Sequence, residues 1–165
     1  MATTMKLIAR QTLTGSASAV TFSSIPGTFT DLVAQITCRR DAAATDLFLL
    51  FNGSGGTYSG RLLYGNGASA LSATPARSCG IVGASTDTSN TFAVNTVYIP
   101  NYAGSTAKSW SADGATENNA TTAFITASAG LWTGTGAITS IEFTPNGGGN
   151  FVSGSSFFLY GITKA

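Results

Sequence analysis

Ile138-Thr139-Ser140-Ile141-Glu142-Phe143-Thr144, then Pro145-Asn146-Gly147-Gly148-Gly149-Asn150, then Ser155-Ser156-Phe157-Phe158-Leu159-Tyr160-Gly161-Ile162: this C-terminal stretch decides the fold class. Its two apolar-rich runs read as strands, because aromatic and β-branched side chains suit a pleated surface. The glycine-rich segment between them reads as a hairpin loop. Only Thr163-Lys164-Ala165 follow, so the chain is expected to be a complete β domain that closes on a strand.

Upstream, the same grammar repeats. Runs at Leu7 to Thr14, Ala19 to Phe22 and Asp31 to Arg39 are punctuated by Gly15-Ser16 and Pro26-Gly27. Within Asp31 to Arg39, Leu32, Ala34, Ile36 and Cys38 share one face, and Val33, Gln35, Thr37 and Arg39 the other. One buried side and one wet side is an antiparallel pattern. Leu47-Phe48-Leu49-Leu50-Phe51 is apolar on both faces and predicts a central, doubly covered strand. Asn52-Gly53 ends it in turn chemistry, and Tyr58 to Tyr64 returns. Ser78 to Val82, Thr91 to Ile99, Lys108 to Gly114 and Thr122 to Trp132 continue the series. Phe92, Val94, Thr96 and Tyr98 share one phase of their strand. Ala120 to Ala129 has the alanine content of a helix, but its threonines and the missing 3.6-residue stripe favour strand. About ten strands at roughly 8–15-residue spacing predict an all-β, antiparallel, jelly-roll-like β-sandwich. Met1 to Met5 is expected as an N-terminal arm, and residues 6–165 as one sandwich domain.

Composition narrows the functional classes. Apolar residues make up 43% of the 165, enough to build a core, while charged residues are only 9%. The surface is therefore coated by neutral polar groups, which the 25 Thr and 19 Ser supply. Such a surface repels neighbours weakly and suits life inside an assembly, or a secreted or carbohydrate-facing domain. A net charge of +1 provides no basic stripe, so no nucleic-acid partner is expected. Arg39-Arg40, followed at once by Asp41, reads as a solvated strand end. No apolar run approaches the roughly 20 residues of a membrane-spanning helix, so no membrane partner is expected. The N-terminal residues lack the apolar centre of a signal peptide, which implies synthesis in a cytoplasm. Cys38 and Cys79 are expected as free thiols, Cys38 buried, rather than a bridge.

Catalytic constellations are poorly supplied. There is no histidine for a nucleophile–base pair or a metal site, so no metal, cofactor or enzymatic activity is expected. Asp31, Asp41, Asp46, Asp87, Asp113, Glu117 and Glu142 are the full set of acids, and Asp113 with Glu117 is the least implausible pair. The loops at Gly53 to Gly56 and Gly147 to Gly149 lack the Gly-Lys-Ser/Thr ending of a phosphate loop and read as hairpin loops. The sequons Asn52-Gly53-Ser54 and Asn119-Ala120-Thr121 carry no information without a secretion signal. Tyr64, Tyr102, Trp110 and Trp132 could stack on sugar rings or fill a partner's pocket, but both tryptophans lie in strand runs and suit the core better. Tyr102 follows the break at Pro100-Asn101 and is the residue on which an exposed partner contact is expected.

Several segments together carry a resemblance: Leu7-Ile8-Ala9-Arg10-Gln11-Thr12-Leu13-Thr14, Val20-Thr21-Phe22-Ser23-Ser24-Ile25-Pro26, Thr28-Phe29-Thr30-Asp31-Leu32, Leu49-Leu50-Phe51-Asn52-Gly53, Ile99-Pro100-Asn101-Tyr102-Ala103, Thr116-Glu117-Asn118-Asn119-Ala120, Ala129-Gly130-Leu131-Trp132 and Tyr160-Gly161-Ile162. They resemble small β-rich virion proteins of tailed bacteriophages, labelled structural, capsid-decorating or fibre-associated. The resemblance spans nearly the whole chain and implies a virion protein made in the host cytoplasm. It supplies no catalytic residues. The chain has no heptads or repetitive shaft segment, which favours a capsid decoration (cement) protein on the head surface over a fibre. The expected partners are then the major capsid protein and further copies of the chain, as a homotrimer. The second reading is a receptor- or carbohydrate-binding fibre domain whose partner is a host surface glycan.

Overall fold

Twelve strands and no helix make up the described residues, 4–53, 56–118 and 122–163 of a computed structural model. In chain order they are β1 (Met5–Thr12), β2 (Val20–Phe22), β3 (Asp31–Cys38), β4 (Thr45–Phe51), β5 (Tyr58–Gly65), β6 (Ala70–Ala73), β7 (Ser78–Val82), β8 (Ala93–Ile99), β9 (Lys108–Asn118), β10 (Thr122–Trp132), β11 (Ile141–Pro145) and β12 (Ser156–Ile162). They form two antiparallel sheets, a large one in the order β1-β12-β3-β8-β9-β10-β5-β6 and a small one in the order β2-β11-β4-β7. The antiparallel β-sandwich read from the sequence is the fold observed. The strand that reading missed is β6, whose Ala-Leu-Ser-Ala carries no alternation and pairs with β5 at the sheet edge.

The C-terminal stretch is two strands, as expected, but not a hairpin. β11 pairs with β2 and β4 in the small sheet, and β12 with β1 and β3 in the large one. β4 and β5, on either side of Asn52-Gly53, are split between sheets in the same way. Turn chemistry lets the chain reverse but does not choose the partner. Gly147, Gly148 and Gly149 do take positive φ, at 76°, 84° and 82°. Phe151 then drops fully into the core and exchanges backbone hydrogen bonds with Ala17, which carries the chain across the sandwich. Arg40 braces the crossing by donating to the carbonyls of Asn146 and Gly148. Arg40 is thus buried and structural, not a solvated strand end.

The core lies between the sheets. Leu32, Ala34, Ile36 and Cys38 point into it, as their alternation predicts, and meet Leu47, Leu49 and Phe51 of β4. β4 is central in its sheet, but only one face is fully buried; Phe48 and Leu50 on the other are half-buried, with the Arg77 guanidinium 5.2 Å from the Phe48 ring. One end of the core is aromatic. Phe51, Tyr58, Trp110 and Trp132 pack with ring centroids 5.6–6.3 Å apart. Of the expected arm, residues 1–3 lie outside the described residues; Met5 already pairs with Ile162, and Thr4 accepts a backbone bond from Thr163.

The two sheets differ in width. β7, the edge of the small sheet, packs against β8, β9 and β10. β5 and β6 extend the large sheet beyond it, as a wing.

Candidate functional site

Two surfaces follow from this mismatch. The first is the outer face of the large sheet. Strand register aligns Leu63, Ala127, Asp113 and Thr96 in one row across β5, β10, β9 and β8. The adjacent rows are Gly65, Ile125, Ala115 and Val94, and Arg61, Ala129, Ser111 and Tyr98. Antiparallel strands ordinarily turn polar residues to water on this side. Here Leu63 and Ile125 are 62% and 61% exposed, and Val94, Leu131 and Tyr98 are exposed with them. Ala, Ser and Gly between them keep the face shallow. In β8 the phase holding Val94, Thr96 and Tyr98 points outward, while Ala93, Asn95 and Val97 are buried. Tyr98 donates its hydroxyl to Asp31 at 2.7 Å, a bond that raises its pKa.

The second surface is a cleft of about 510 Å³ on the inner face of the wing. Tyr64 of β5 and Phe124 of β10 form one wall, stacked with centroids 5.8 Å apart and planes 27° apart. Residues 43–46 and 84–87 form the facing lip, and Thr116 and Glu117 close one end. The lip is braced. Arg39 donates to the carbonyls of Ser85, Asp87, Thr88 and Thr91. Asp87 accepts from its own loop at Ala84 N, 2.7 Å away, and Glu117 accepts from Thr88 N. Ser85 N bonds Ala42 O at 2.8 Å, tying the two lip segments together. Arg39, like Arg40, is a structural cation rather than a solvated one. Asp46, half-buried in the cleft, has its pKa raised by desolvation.

Tyr102, expected as an exposed contact, is fully buried. The break at Pro100 and Asn101 does occur, with Asn101 at φ 48°, but it folds the chain back over the end of the core. There the Tyr102 hydroxyl donates to Pro26 O and accepts from Phe29 N, and burial raises its pKa. Trp110 and Trp132 are core residues; Trp110 donates its indole N–H to Ser78 O at 3.2 Å. Of the four aromatic candidates, Tyr64 lines this cleft.

Asp113 and Glu117 are not brought together as an acid pair: Asp113 is exposed in the outer-face row, and Glu117 is engaged with Thr88 at the cleft. Among the described residues, no three His, Cys, Asp or Glu side chains converge as metal ligands. Cys38 and Cys79 are both buried and free, and burial pushes both thiols up. Ser54, Gly55 and residues 119–121 lie outside the described residues, and with them the second sequon, the last residue of the first and part of the Gly53 to Gly56 loop. The chain matches no protein-family model, no curated protein and no solved structure.

Proposed function

We propose that the protein is a structural component of a tailed-bacteriophage virion, seated on the outside of the head shell as a decoration protein. The outer face of the eight-stranded sheet carries this reading. Solvent-exposed Leu63, Ile125, Val94 and Leu131, set among mostly small neutral residues with Arg61 and Asp113 as the charged members of their rows, form a surface suited to protein contact, because large exposed apolar side chains gain most by leaving water. A charge-poor chain has little electrostatic penalty to overcome in dense packing. The strand order also supports a jelly-roll reading: β1-β12-β3-β8 faces β2-β11-β4-β7, the arrangement of two interlocked Greek keys, with β9, β10, β5 and β6 as an extension. Binding only to assembled shells would stabilise them by mass action, and copies clustered at threefold points would form trimers.

The experiment is substitution on the face followed by particle binding. Ile125→Lys with Leu63→Lys should leave the folded monomer intact and abolish incorporation into particles. Gel densitometry of wild-type particles should find on the order of hundreds of copies, as a shell lattice demands. A handful of copies per particle, with loss of host adsorption on removal, would instead identify a fibre-tip domain.

A further inference from the structure

We infer that the cleft between Tyr64, Phe124 and the residue 84–87 lip is a binding site for a neutral saccharide. It lies on the inner face of the wing, opposite the proposed docking face, so the two can be occupied together. The inference stands or falls separately from the decoration reading.

Size comes first. About 510 Å³ is in the range of small-molecule sites and accommodates one or two pyranose rings. The walls differ in chemistry. Tyr64 and Phe124 offer an aromatic surface backed by Leu62, against which the apolar C–H face of a sugar ring can pack. The remaining walls offer acceptors and hydroxyls: Asp46, Asp87 and Glu117, with Thr45, Thr86, Thr116 and Thr126 beside them. A ligand apolar on one face and rimmed with hydroxyl donors satisfies both kinds of wall, and carboxylates accept such bonds strongly.

The charge pattern selects among sugars. Among the described residues no lysine or arginine lines the cleft, and its three acids repel carboxylated, sulfated or phosphorylated glycans. A metal ion is a poorer occupant, because the acids are spread along the walls and do not converge. The site is also pre-organised. The four Arg39 bonds and the Glu117 bond hold the 84–91 segment in place before any ligand arrives, which removes an ordering penalty from binding.

The test is saturation-transfer NMR and calorimetry of the full chain against a broad panel of neutral oligosaccharides, with sialylated and uronic-acid glycans and tetramethylammonium chloride as comparison ligands. At least one neutral oligosaccharide should bind. Phe124→Ala and Tyr64→Ala should each weaken that binding about tenfold or more. Because a cleft-wall truncation can loosen the wing, the isosteric Asp87→Asn and Asp46→Asn are read alongside, and at least one should weaken the same ligand. The inference is overturned if no neutral member of the panel binds, if acidic glycans or the quaternary ammonium bind better, or if binding survives all four substitutions. Loss of saccharide binding in these variants with normal incorporation into particles would separate the cleft from the docking face.

Discussion

The side chain of Asn95, on β8 of the large sheet, pairs with both backbone groups of Ile81, on β7 of the small one. Its Oδ1 accepts from Ile81 N at 2.7 Å, and its Nδ2 donates to Ile81 O at 2.9 Å. The carboxamide stands where a neighbouring strand would, at an edge that has none. Asn95 is 1% exposed, and Gly80 and Gly114 leave the room: a Cβ on either would lie 2.1 or 2.3 Å from Asn95 Oδ1. Unpaired edges invite pairing with other chains, and this one is closed from within. Replacing Asn95 by Leu keeps the volume, strands Ile81 N and leaves Ile81 O only the weak Cys38 thiol donor at 3.7 Å. The expected loss is about 3 kcal/mol, since each buried unpaired group costs about 1–3 kcal/mol. Urea unfolding midpoints of Asn95→Leu and wild type measure it; equal midpoints would remove this side chain from the account of the β7 edge.

Gly130 is required by Trp110. A Cβ at Gly130 would lie 2.0 Å from Trp110 Cζ2, and neither the indole nor the paired backbone of β10 can yield that much. Gly130→Ala should destabilise the fold by about 3 kcal/mol or prevent its accumulation, as overpacking does. Adding Trp110→Phe removes the clashing ring atoms, so the double variant should be more stable than Gly130→Ala alone. A purely additive double-mutant cycle would contradict the contact.

Tyr102→Phe tests the corrected role of this residue. It deletes the hydroxyl that joins Pro26 O and Phe29 N while keeping the buried ring. Thermal or urea unfolding should show a loss of about 1–2 kcal/mol. Particle binding by the folded variant should be unchanged, because nothing of Tyr102 reaches the surface.

Asp46→Asn should change stability in a pH-dependent way. Burial raises the Asp46 pKa above its ordinary 3.8, so the folded protein holds that proton more tightly than the unfolded chain does. The protonated form's advantage is therefore present at low pH and is lost as pH rises from 3.8 through the folded value. At neutral pH the variant removes a disfavoured charge and should melt a few degrees higher than wild type. At about pH 3 both carry a neutral side chain, and the difference should vanish. A Tm gain of equal size at both pH values would show that the charge is not its cause.

The sequence by itself determined the local layer of this protein. Alternation in β3 named its buried face, the turn residues at Asn52 and Gly147 to Gly149 marked where strands stop, and buried Trp110 and Trp132 were legible from their strand positions. These features depend on neighbours a few residues apart, and the periodicity of side chains along a strand encodes them. Only the tertiary structure decided which strands meet. Phe151 sends β12 to the far sheet, Asn95 closes an edge belonging to the other sheet, and Arg39 braces a loop 45 or more residues ahead of it. The same holds for the cleft and for Tyr102. Tyr64 and Phe124 are 60 positions apart and share a wall because β5 pairs with β10 and β7 stops short. Tyr102 is buried where residues of another loop meet its hydroxyl, Pro26 O accepting from it and Phe29 N donating to it. Sequence patterns report which side of a strand is apolar. Burial of a loop residue, or exposure of an apolar strand face, depends on what the rest of the chain places over it.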